Sequence, residues 1–388
     1  MQKNSQNIIV KVFPHNFPIG KNQNMSIWLV SKYVMLFSKF AKNFLIISPK
    51  AESPLEGFNI HYIAPLKKSD LKETSFGDWN ISNAIERKDY TEQVVSYIKT
   101  VKPKLIEVEN DIRLAGNIAK VCTNIPVVFI PHVVVAKRKF ISRLMQYWRY
   151  IKPITKIIFV SYNHQKHFYK SFFYSKKPST VIHNSYAHVK AKNVNFSEKL
   201  NQIIFAGRAV TFKGYQDFIL GVLPVLQKKQ DWQGVAVLSI ETENMNNEVE
   251  AFLKKPEITE AIKNGSLKVI KNLPNNLLFK AFAKAKIAVF PTHPSWLEGL
   301  PLVAIEAHLA KCALITSANP GFKELSSNNI LYLDEINPSD ITAKINYLID
   351  NPKALENLAL SGYKHITNNY NIEKLVKKYD QIREEYLQ

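Results

Sequence analysis

The sequence predicts an α/β protein with two Rossmann-like domains, each built on a doubly wound parallel sheet. Short apolar runs alternate with helical patterns along most of the 388 residues, which is typical of α/β folds. Most of these runs are continuously apolar rather than alternating, as in parallel strands that are covered on both faces. A chain of this length also favours two domains, since one domain usually takes about 100–200 residues.

The predicted strands and helices follow this alternation. Strands are predicted at Ile8–Phe13, Phe44–Ser48, Phe58–Ile63, Leu105–Val108, Val127–Ile130, Lys156–Val160, Ser179–Ile182, Gln202–Phe205, Gly234–Ile240, Leu267–Ile270, Ile287–Phe290, Ala313–Thr316 and Ile330–Leu333. Helices are predicted at Ser26–Lys39, Lys88–Thr100, Ile112–Lys120, Gly214–Leu223, Glu248–Lys254, Asn275–Ala283, Leu302–Ala310 and Pro338–Asp350.

A polar stretch near the middle of the chain predicts the domain boundary. His188–Leu200 has no apolar periodicity, so we expect an N-terminal domain at 1–192 and a C-terminal domain at 193–370. The tail, 371–388, is predicted to be a helix that packs back on the N-terminal domain. Ligands of such folds bind beyond the carboxyl ends of the strands, so we expect the two sheets to face each other across a shared cleft.

Composition says less about the class of protein than the pattern of apolar runs does. The net charge of +20 favours polyanionic partners such as nucleic acid, anionic lipid or phosphorylated substrates. Cys122 and Cys312 lie in apolar stretches, as buried free thiols do in a reducing compartment. The first apolar run is too short for a secretory signal, and no apolar stretch approaches the roughly 18 residues of a membrane span. We therefore expect a cytoplasmic protein that can contact the inner face of the plasma membrane.

The strongest chemical signal is the segment 291–313, a loop rich in proline that leads into an apolar helix. The amides of Leu302 and Val303 at the helix start suit a diphosphate, because they have no partners within the helix. Glu306, further along the helix, can accept hydrogen bonds from a ribose diol, and Glu298 lies near the end of the loop. The alternative is that Glu298 is a loop carboxylate near a helix start and Glu306 a solvated helix residue. The apolar neighbours of Glu306 argue against the second of these.

A second segment carries two cations after a strand. Gly207 and Arg208 follow the predicted strand that ends at Phe205, and Lys213 and Gly214 come a few residues later. Arg208 and Lys213 can converge on one anion and neutralise the charge that builds on a leaving diphosphate. Either cation alone is more typical of a solvated surface, but the pair with Gly207 and Gly214 around it favours the diphosphate.

Together these segments resemble the retaining glycosyltransferases of family 4, which have the GT-B fold. The resemblance rests on Glu298-Gly299-Leu300-Pro301 followed by Glu306-Ala307, a spacing that is the family's hallmark. The turn Asn319–Glu324 is similar to the family's Gly-Gly-x-x-Glu turn, with Pro320 in place of the first glycine. The resemblance implies that Arg208 and Lys213 hold the diphosphate, with Gly207 beside them.

The resemblance also implies roles in the N-terminal half, where the match is diffuse. His132 follows a strand, and family members often carry a histidine there that hydrogen-bonds the donor sugar. Gly20 lies in the loop after the first strand, which has one glycine where relatives have several. Glu109 and Asn110 are candidate acceptor-facing residues. Capping of the next helix by Asn110 or Asp111 is the competing interpretation.

Two segments, 136–150 and 162–177, mix Lys and Arg with Phe, Trp and Tyr. This mixture suits a membrane surface with anionic lipid, single-stranded nucleic acid, or two ordinary packed helices with solvated lysines. Given the family resemblance, we favour the membrane and a lipid-linked acceptor.

The sequence therefore predicts an enzyme that moves a hexose-type sugar from a nucleoside-diphosphate sugar to a glycan or lipid-linked acceptor. The resemblance implies retention of configuration and a place in lipopolysaccharide or other cell-surface polysaccharide synthesis. Arg208, Lys213, Glu298 and His132 are the predicted catalytic residues. No Asp-x-Asp motif is present, so neither a metal nor a cofactor is expected beyond the nucleotide sugar. The alternatives are a sugar-nucleotide epimerase of the same fold and a basic nucleic-acid-binding protein, though no nucleic-acid motif is visible.

Overall fold

The computed structural model describes residues 7–21, 26–64, 79–133, 144–171, 177–186 and 193–387, with the backbone alone for 79–83 and 171. The chain divides into two compact units. The first unit comprises Met1–His183 and Ile372–Gln388, and the second unit comprises Asn184–Asn371.

The first unit is built on a seven-stranded parallel sheet with the order β3-β2-β1-β4-β5-β6-β7. The strands are β1 (Ile9–Val12), β2 (Phe44–Pro49), β3 (Ile60–Ile63), β4 (Leu105–Glu109), β5 (Val127–Ile130), β6 (Lys156–Phe159) and β7 (Ser179–Val181). The helices are α1 (Ser26–Leu36), α2 (Trp79–Val101), α3 (Ile112–Val121), α4 (Tyr162–Ser171) and, from the end of the chain, Ile372–Leu387. A short π-helix, Tyr147–Ile151, precedes β6.

The second unit has a six-stranded parallel sheet with the order β10-β9-β8-β11-β12-β13. Its strands are β8 (Leu200–Arg208), β9 (Gln233–Ser239), β10 (Leu267–Lys271), β11 (Ala285–Phe290), β12 (Ala313–Thr316) and β13 (Ile330–Tyr332). Its helices are α5 (Tyr215–Lys228), α6 (Glu243–Leu253), α7 (Pro256–Lys263), α8 (Asn275–Lys284), α9 (Leu302–Leu309), α10 (Pro320–Glu324), α11 (Pro338–Asp350) and α12 (Pro352–Asn369). Ile372–Leu387 is α13.

Both sheets place their central strands in the interior. Every residue of β1 and β4 is buried, as is the greater part of β11. Helices supply the covering apolar surface; α2, for example, buries Tyr90, Val94 and Ile98 in the first core. Burying a side chain of this size contributes about 1.5–3 kcal/mol. The predicted fold class, two Rossmann-like units with parallel sheets, is confirmed.

The helices that the sequence pattern missed lie between the predicted elements. α7 and α12 both begin at a proline, a residue favoured at the first helical position because its nitrogen needs no partner. α2 begins at Trp79, earlier than the predicted Lys88. The 3₁₀ turn Thr211–Lys213 separates β8 from α5 and carries one of the predicted cations.

The division into units differs in detail from the boundary read from the sequence. The structure divides the chain between His183 and Asn184, whereas the polar stretch suggested residues 192 and 193. Ser185 donates a hydrogen bond to the carbonyl of Tyr370, and Tyr186 donates one to Asn275 at 3.1 Å. These bonds attach the residues after His183 to the second unit.

The C-terminal helix α13 lies in the first unit, where it contacts α1 and β4. Its inner face buries Leu375, Val376 and Tyr379 together with the charged residues Asp380 and Arg383. Among the helices of the described residues, none is long and apolar enough to cross a membrane.

Candidate active site

The turn between β8 and α5 carries the two predicted cations. Gly214 follows Lys213 and has a φ of 74°, a backbone conformation that side chains rarely adopt. A Cβ atom at this position would lie 2.2 Å from the carbonyl oxygen of Pro291. Glycine is therefore needed both for the turn and for its close approach to the loop that follows β11.

That loop, 291–301, docks on the turn through several contacts. The amide of His293 donates to the carbonyl of Phe212 at 2.8 Å, and its ring Nε2 lies 2.7 Å from Asp217. The rings of Phe212 and Trp296 stack with centroids 4.6 Å apart. Two segments that are far apart in the sequence thus form one surface at the carboxyl edge of the second sheet.

Arg208, the last residue of β8, lies beside this aromatic pair. Its guanidinium carbon is 5.8 Å from the Phe212 ring centroid and 5.6 Å from that of Trp296. Cation–π contacts of this kind orient an arginine without neutralising it. The side chain remains 38% exposed, and Glu241 is 3.9 Å from Nη1. Arg208 is therefore held in place with donors still available for an anion.

Lys213 and Glu298, which the sequence assigned to different parts of a ligand, form an ion pair with each other. The hydroxyl of Thr292 also lies 3.3 Å from the same carboxylate oxygen. An ammonium group has three donors, so Lys213 can hold Glu298 and a phosphate oxygen together.

Asn319 holds the backbone around Glu298, a role that the sequence pattern did not reveal. Its Oδ1 accepts from the amide of Glu298 at 3.1 Å, and its Nδ2 donates to the carbonyl of Trp296 at 2.6 Å. Asn319 also caps α10, and a Cβ on Gly321 would approach the carbonyl of Glu298 to 2.6 Å. The feature of the sequence that could have revealed this role is the position of Asn319, a typical capping residue, directly before Pro320 in the turn that resembles the family pattern.

Glu306 lies inside the second unit, on α9. Its side chain is buried, and among the described residues no donor reaches Oε1. Burial raises the pKa of Glu306 to about 8, against a smaller opposite effect of the Tyr186 hydroxyl. The carboxyl group is thus held largely in its neutral form at pH 7. One of its oxygens still lacks a hydrogen-bond partner among the described residues, and a hydroxyl group of a ligand can supply one.

The backbone donors predicted near these carboxylates lie at the start of α9 and in β8. Pro301 is the N-cap of α9 and provides no side-chain cap. The amides of Leu302 and Val303 have no acceptor in the described part of the chain. Gly207 lies near the end of β8, where a Cβ would be 3.2 Å from the Phe205 ring. Leu302 and Val303 therefore retain the donors expected of a phosphate site.

The first unit uses its predicted site residues differently. Glu109 ends β4, is 1% exposed, and bonds Lys11, Ser31 and His132 at 2.5, 2.6 and 2.7 Å. It lies in the interior rather than at an acceptor-facing surface. A buried carboxylate at a strand end looks like an exposed one in the sequence, since the partners that bury it are distant in the chain.

Asn110 holds the chain around His132. With a φ of 56°, it turns its Oδ1 to accept from the amides of His132 and Val133, each at 3.1 Å. Asp111, and not Asn110, caps α3, which confirms the capping interpretation for Asp111.

Gly20 pairs with the segment that follows β2. It forms an antiparallel bridge with Pro54, and a Cβ would lie 2.7 Å from the carbonyl oxygen of Ser53. Its predicted contact with an acceptor stays a prediction.

Two further features bear on ligands. In the described ranges, no group of three or more His, Cys, Asp and Glu side chains is arranged to hold a metal ion. A cavity of about 530 Å³ is lined by residues such as Leu226, Trp232 and Asn264. It lies at Gln233, the first residue of β9, and therefore at the opposite edge of the sheet from Arg208.

The sequence of the second unit matches a known family. Residues 188–365 match the family model described as "Glycosyl transferases group 1". The matched region contains Arg208, Lys213, Glu298 and Glu306. The chain is also 30% identical over 206 residues to the capsular polysaccharide biosynthesis glycosyltransferase CapH of Staphylococcus aureus, an alignment that covers 51% of this chain and 53% of CapH. The match thus spans about half the length of this relative.

Solved structures extend the similarity to the whole fold. HepE of Anabaena, solved in complex with UDP, is 13% identical with a TM-score of 0.69, covering 97% of this chain and all of HepE. A glycosyltransferase from Rickettsia africae is 14% identical with a TM-score of 0.72 over 100% of both chains. Sucrose-phosphate synthase from Thermosynechococcus elongatus is 14% identical with a TM-score of 0.71, covering 98% of this chain and 99% of the synthase. These neighbours support the GT-B fold class.

Proposed function

We propose that this protein is a retaining glycosyltransferase that moves a hexose-type sugar from a nucleoside-diphosphate sugar to a glycan or lipid-linked acceptor. The observation that carries the proposal is the interlocked surface of the second unit. There the turn with Arg208 and Lys213 docks on the loop with Glu298, inside the region that matches the glycosyltransferase family model.

Each group of this surface has a proposed part in donor binding. Arg208, Lys213 and the amides of Leu302 and Val303 hold the diphosphate, because donors fixed by the fold stabilise charge without reorganising. Gly207 lets the backbone approach it. Glu298 accepts hydrogen bonds from sugar hydroxyls, and Glu306 accepts from the ribose, since its buried Oε1 has no partner among the described residues. HepE, a structural neighbour, has been solved with UDP-glucose, which makes a uridine nucleotide the first donor to test.

The proposed reaction breaks the bond between the sugar C1 and the diphosphate oxygen. The acceptor oxygen forms a bond to C1 on the same face, and its proton passes to an oxygen of the departing diphosphate. Arg208 and Lys213 stabilise the negative charge that appears there. His132 keeps its proposed contact with the donor sugar, and Gly20 and Asn110 stay acceptor-side candidates.

The test uses Arg208→Ala and Glu298→Ala, assayed with UDP-, GDP- and ADP-sugars. We expect each variant to fold and to lose activity. For Arg208→Ala the loss in kcat/KM should be about 100-fold or more, the usual effect of removing one charge-stabilising donor. Lys254→Ala, at an exposed position of the same unit, is the control and should retain wild-type activity. Full activity in both site variants would contradict the assignment.

Analysis of products separates transfer from epimerisation. A transferase leaves the donor sugar unchanged apart from slow hydrolysis when no acceptor is present, whereas an epimerase converts the donor alone. The anomeric configuration of the transferred sugar, read by NMR, tests retention. The proposal includes no metal, so EDTA should leave transfer intact; activity lost with EDTA and restored by Mg²⁺ or Mn²⁺ would contradict that part.

The acceptor is proposed to lie at an anionic membrane, the inner face of the plasma membrane, in cell-surface polysaccharide or lipopolysaccharide synthesis. The support is an exposed surface around the π-helix of the first unit, which we define as residues 144–152. Leu144, Met145 and Trp148 are exposed there, and Nζ of Lys152 lies 4.0 Å from the Trp148 ring. Residues 136–143 and 172–176 of the two basic and aromatic segments lie outside the described residues.

Vesicle sedimentation tests this surface. The protein should bind vesicles of phosphatidylglycerol more tightly than those of phosphatidylcholine, because basic residues next to apolar ones favour anionic interfaces. Trp148→Ala should weaken binding, whereas Tyr347→Ala, at an exposed aromatic position of the second unit, should not. Equal binding to both vesicles, or binding to single-stranded nucleic acid alone, would contradict the membrane proposal.

A further inference from the structure

A chain of buried ionic groups runs through the first unit and ends at His132. Lys11 and Glu107 lie opposite each other on the neighbouring strands β1 and β4. Nζ of Lys11 is 2.9 Å from Glu107 and 2.5 Å from Glu109, and all three side chains are at most 2% exposed. Charges this deeply buried need partners, since each loses its hydration.

The C-terminal helix supplies the second cation. Nε and Nη2 of Arg383 donate to the two oxygens of Glu107, at 2.7 and 3.2 Å. Nη1 of the same guanidinium donates to Asp380 at 2.9 Å. Two cations, Lys11 and Arg383, are therefore shared by three buried carboxylates, those of Glu107, Glu109 and Asp380. Glu109 is the last carboxylate in this series of ionic groups, and it can accept a hydrogen bond from one more donor.

His132 provides that donor. Its Nε2 lies 2.7 Å from Oε2 of Glu109, while Oε1 of Glu109 is used by Lys11 and Ser31. The imidazole side chain is only 6% exposed. The backbone amide of His132 is held separately by Asn110 at 3.1 Å, so both the ring and its attachment point are anchored.

The charge of Glu109 decides which ring nitrogen carries the proton. Burial alone would raise the pKa of Glu109, but the charges of Lys11 and the hydrogen bond from His132 lower it to about 2. An ionised carboxylate only accepts hydrogen bonds. The nitrogen that faces it must therefore be protonated, and in neutral His132 the other nitrogen, Nδ1, carries the lone pair.

We propose that Glu109, held by Lys11, is a positioning residue that fixes His132 in its Nε2-protonated tautomer and leaves Nδ1 to accept a hydrogen bond from a ligand hydroxyl. The ligand part rests on the proposed function, in which His132 contacts the donor sugar. The tautomer itself follows from the buried contacts and is independent of any activity. On this basis Nδ1 of His132 accepts a hydrogen bond from a sugar hydroxyl and so orients it.

Imidazole NMR of the full chain with ¹⁵N-labelled histidine tests the tautomer. The signals of His132 are those missing from His132→Gln. We expect long-range ¹H–¹⁵N correlations to show a protonated Nε2 and an unprotonated Nδ1 for neutral His132, with an Nε2 proton that exchanges slowly. A protonated Nδ1 in the neutral ring would overturn the proposal, whatever the activity of the enzyme.

Removing the Glu109 carboxylate tests whether it positions His132. In Glu109→Met, the slowly exchanging Nε2 proton should disappear and both tautomers should be populated. Because this variant leaves Lys11 short of a partner, the charge-balanced variant Lys11→Met/Glu109→Met serves as the folded alternative and should show the same change. Glu92→Gln, an exposed carboxylate on α2, is the control. An unchanged His132 spectrum in both Glu109 variants would overturn the positioning role.

Kinetics separates this inference from the proposed function. If His132 contacts the donor sugar, His132→Gln should lower kcat/KM, and the charge-balanced variant should lower it in the same direction by a smaller factor. Wild-type kinetics in His132→Gln together with the expected tautomer would overturn the ligand contact and leave the positioning of His132 by Glu109 established.

Discussion

Glu109 and Glu306 are both buried carboxyl groups, yet their environments drive them in opposite directions. Glu109 in the first unit bonds Lys11, Ser31 and His132. Its pKa falls to about 2 because Lys11 and His132 outweigh burial. Glu306 in the second unit has an oxygen with no donor among the described residues, and burial raises its pKa to about 8. Burial alone therefore does not set the charge of a carboxyl group; the partners that the fold supplies decide it.

The difference also separates two uses of a buried charge. The bonds of Glu109 are made within the fold, so it contributes to the structure before any ligand arrives. Glu306 lacks such bonds, and a ligand with hydroxyl donors can supply them. Four experiments test this contrast.

Among these experiments, Arg383→Met should cause the largest loss of stability, and it should do so in the first unit. The substitution leaves Glu107 and Asp380 buried without their guanidinium partner, and breaking a buried pair in this way costs about 3–5 kcal/mol. Urea unfolding should show the loss in the free energy of unfolding. Lys377→Met, at an exposed position of the same helix, is the control. A change below about 1 kcal/mol, the size typical of an exposed ion pair, would contradict the ionic role of Arg383.

Glu306→Gln should have the opposite, pH-dependent effect on stability. The folded-state pKa of Glu306 lies above the ordinary value of 4.5, so the folded protein binds more protons than the unfolded chain between these values. Stability is therefore lost as the pH rises from about 4.5 to about 8. The glutamine variant escapes this loss.

We expect the variant to equal the wild type at about pH 4 and to exceed it at about pH 9, by a few kcal/mol at most, since one pKa unit corresponds to about 1.36 kcal/mol. Thermal unfolding across this range is the measurement. A difference between the two proteins that does not depend on pH would show that Glu306 is not neutral in the folded state.

Donor binding should depend on pH through the same group. A ribose that donates to the Glu306 carboxylate favours the ionised form, so binding below about pH 8 releases a proton. The affinity for the nucleotide should rise by up to about tenfold per pH unit between about pH 6 and about pH 8. Calorimetry with UDP in two buffers of different ionisation enthalpy measures the released proton. In Glu306→Gln this proton release should be absent; its persistence would place it on another group.

The smallest effect is expected for the ion pair of Lys213 with Glu298. Both side chains are partly exposed, at 20% and 11%, so a double-mutant cycle with Lys213→Met and Glu298→Gln should give a coupling of about 0.2–1 kcal/mol in unfolding. Their effect on transfer should be far larger than this coupling. A coupling of several kcal/mol would mean that the pair is structural, like the bonds of Glu109.

Much of the fold was predictable because it depends on local patterns. Continuous apolar runs such as Val127–Ile130 and Ala313–Thr316 became buried parallel strands, with the bounds expected. The spacing of Glu298 and Glu306 was visible too, as were the cations Arg208 and Lys213. The contacts that hold the site together were not predictable: Asn319 bonds backbone 21 and 23 residues away, and Trp296 stacks on Phe212 across two separate segments.

Apolar periodicity and motif spacing are properties of neighbouring residues, so the α/β class, the positions of the strands and the residue types of the candidate donor site could be predicted from the sequence. Which carboxylates have partners depends instead on contacts between distant parts of the chain. Glu109 meets Lys11 across 98 positions and Glu107 meets Arg383 across 276, since strand order and the return of the last helix bring them together. No such partner reaches Oε1 of Glu306 from the described chain, and that difference in three-dimensional surroundings gives two similar side chains different chemistry.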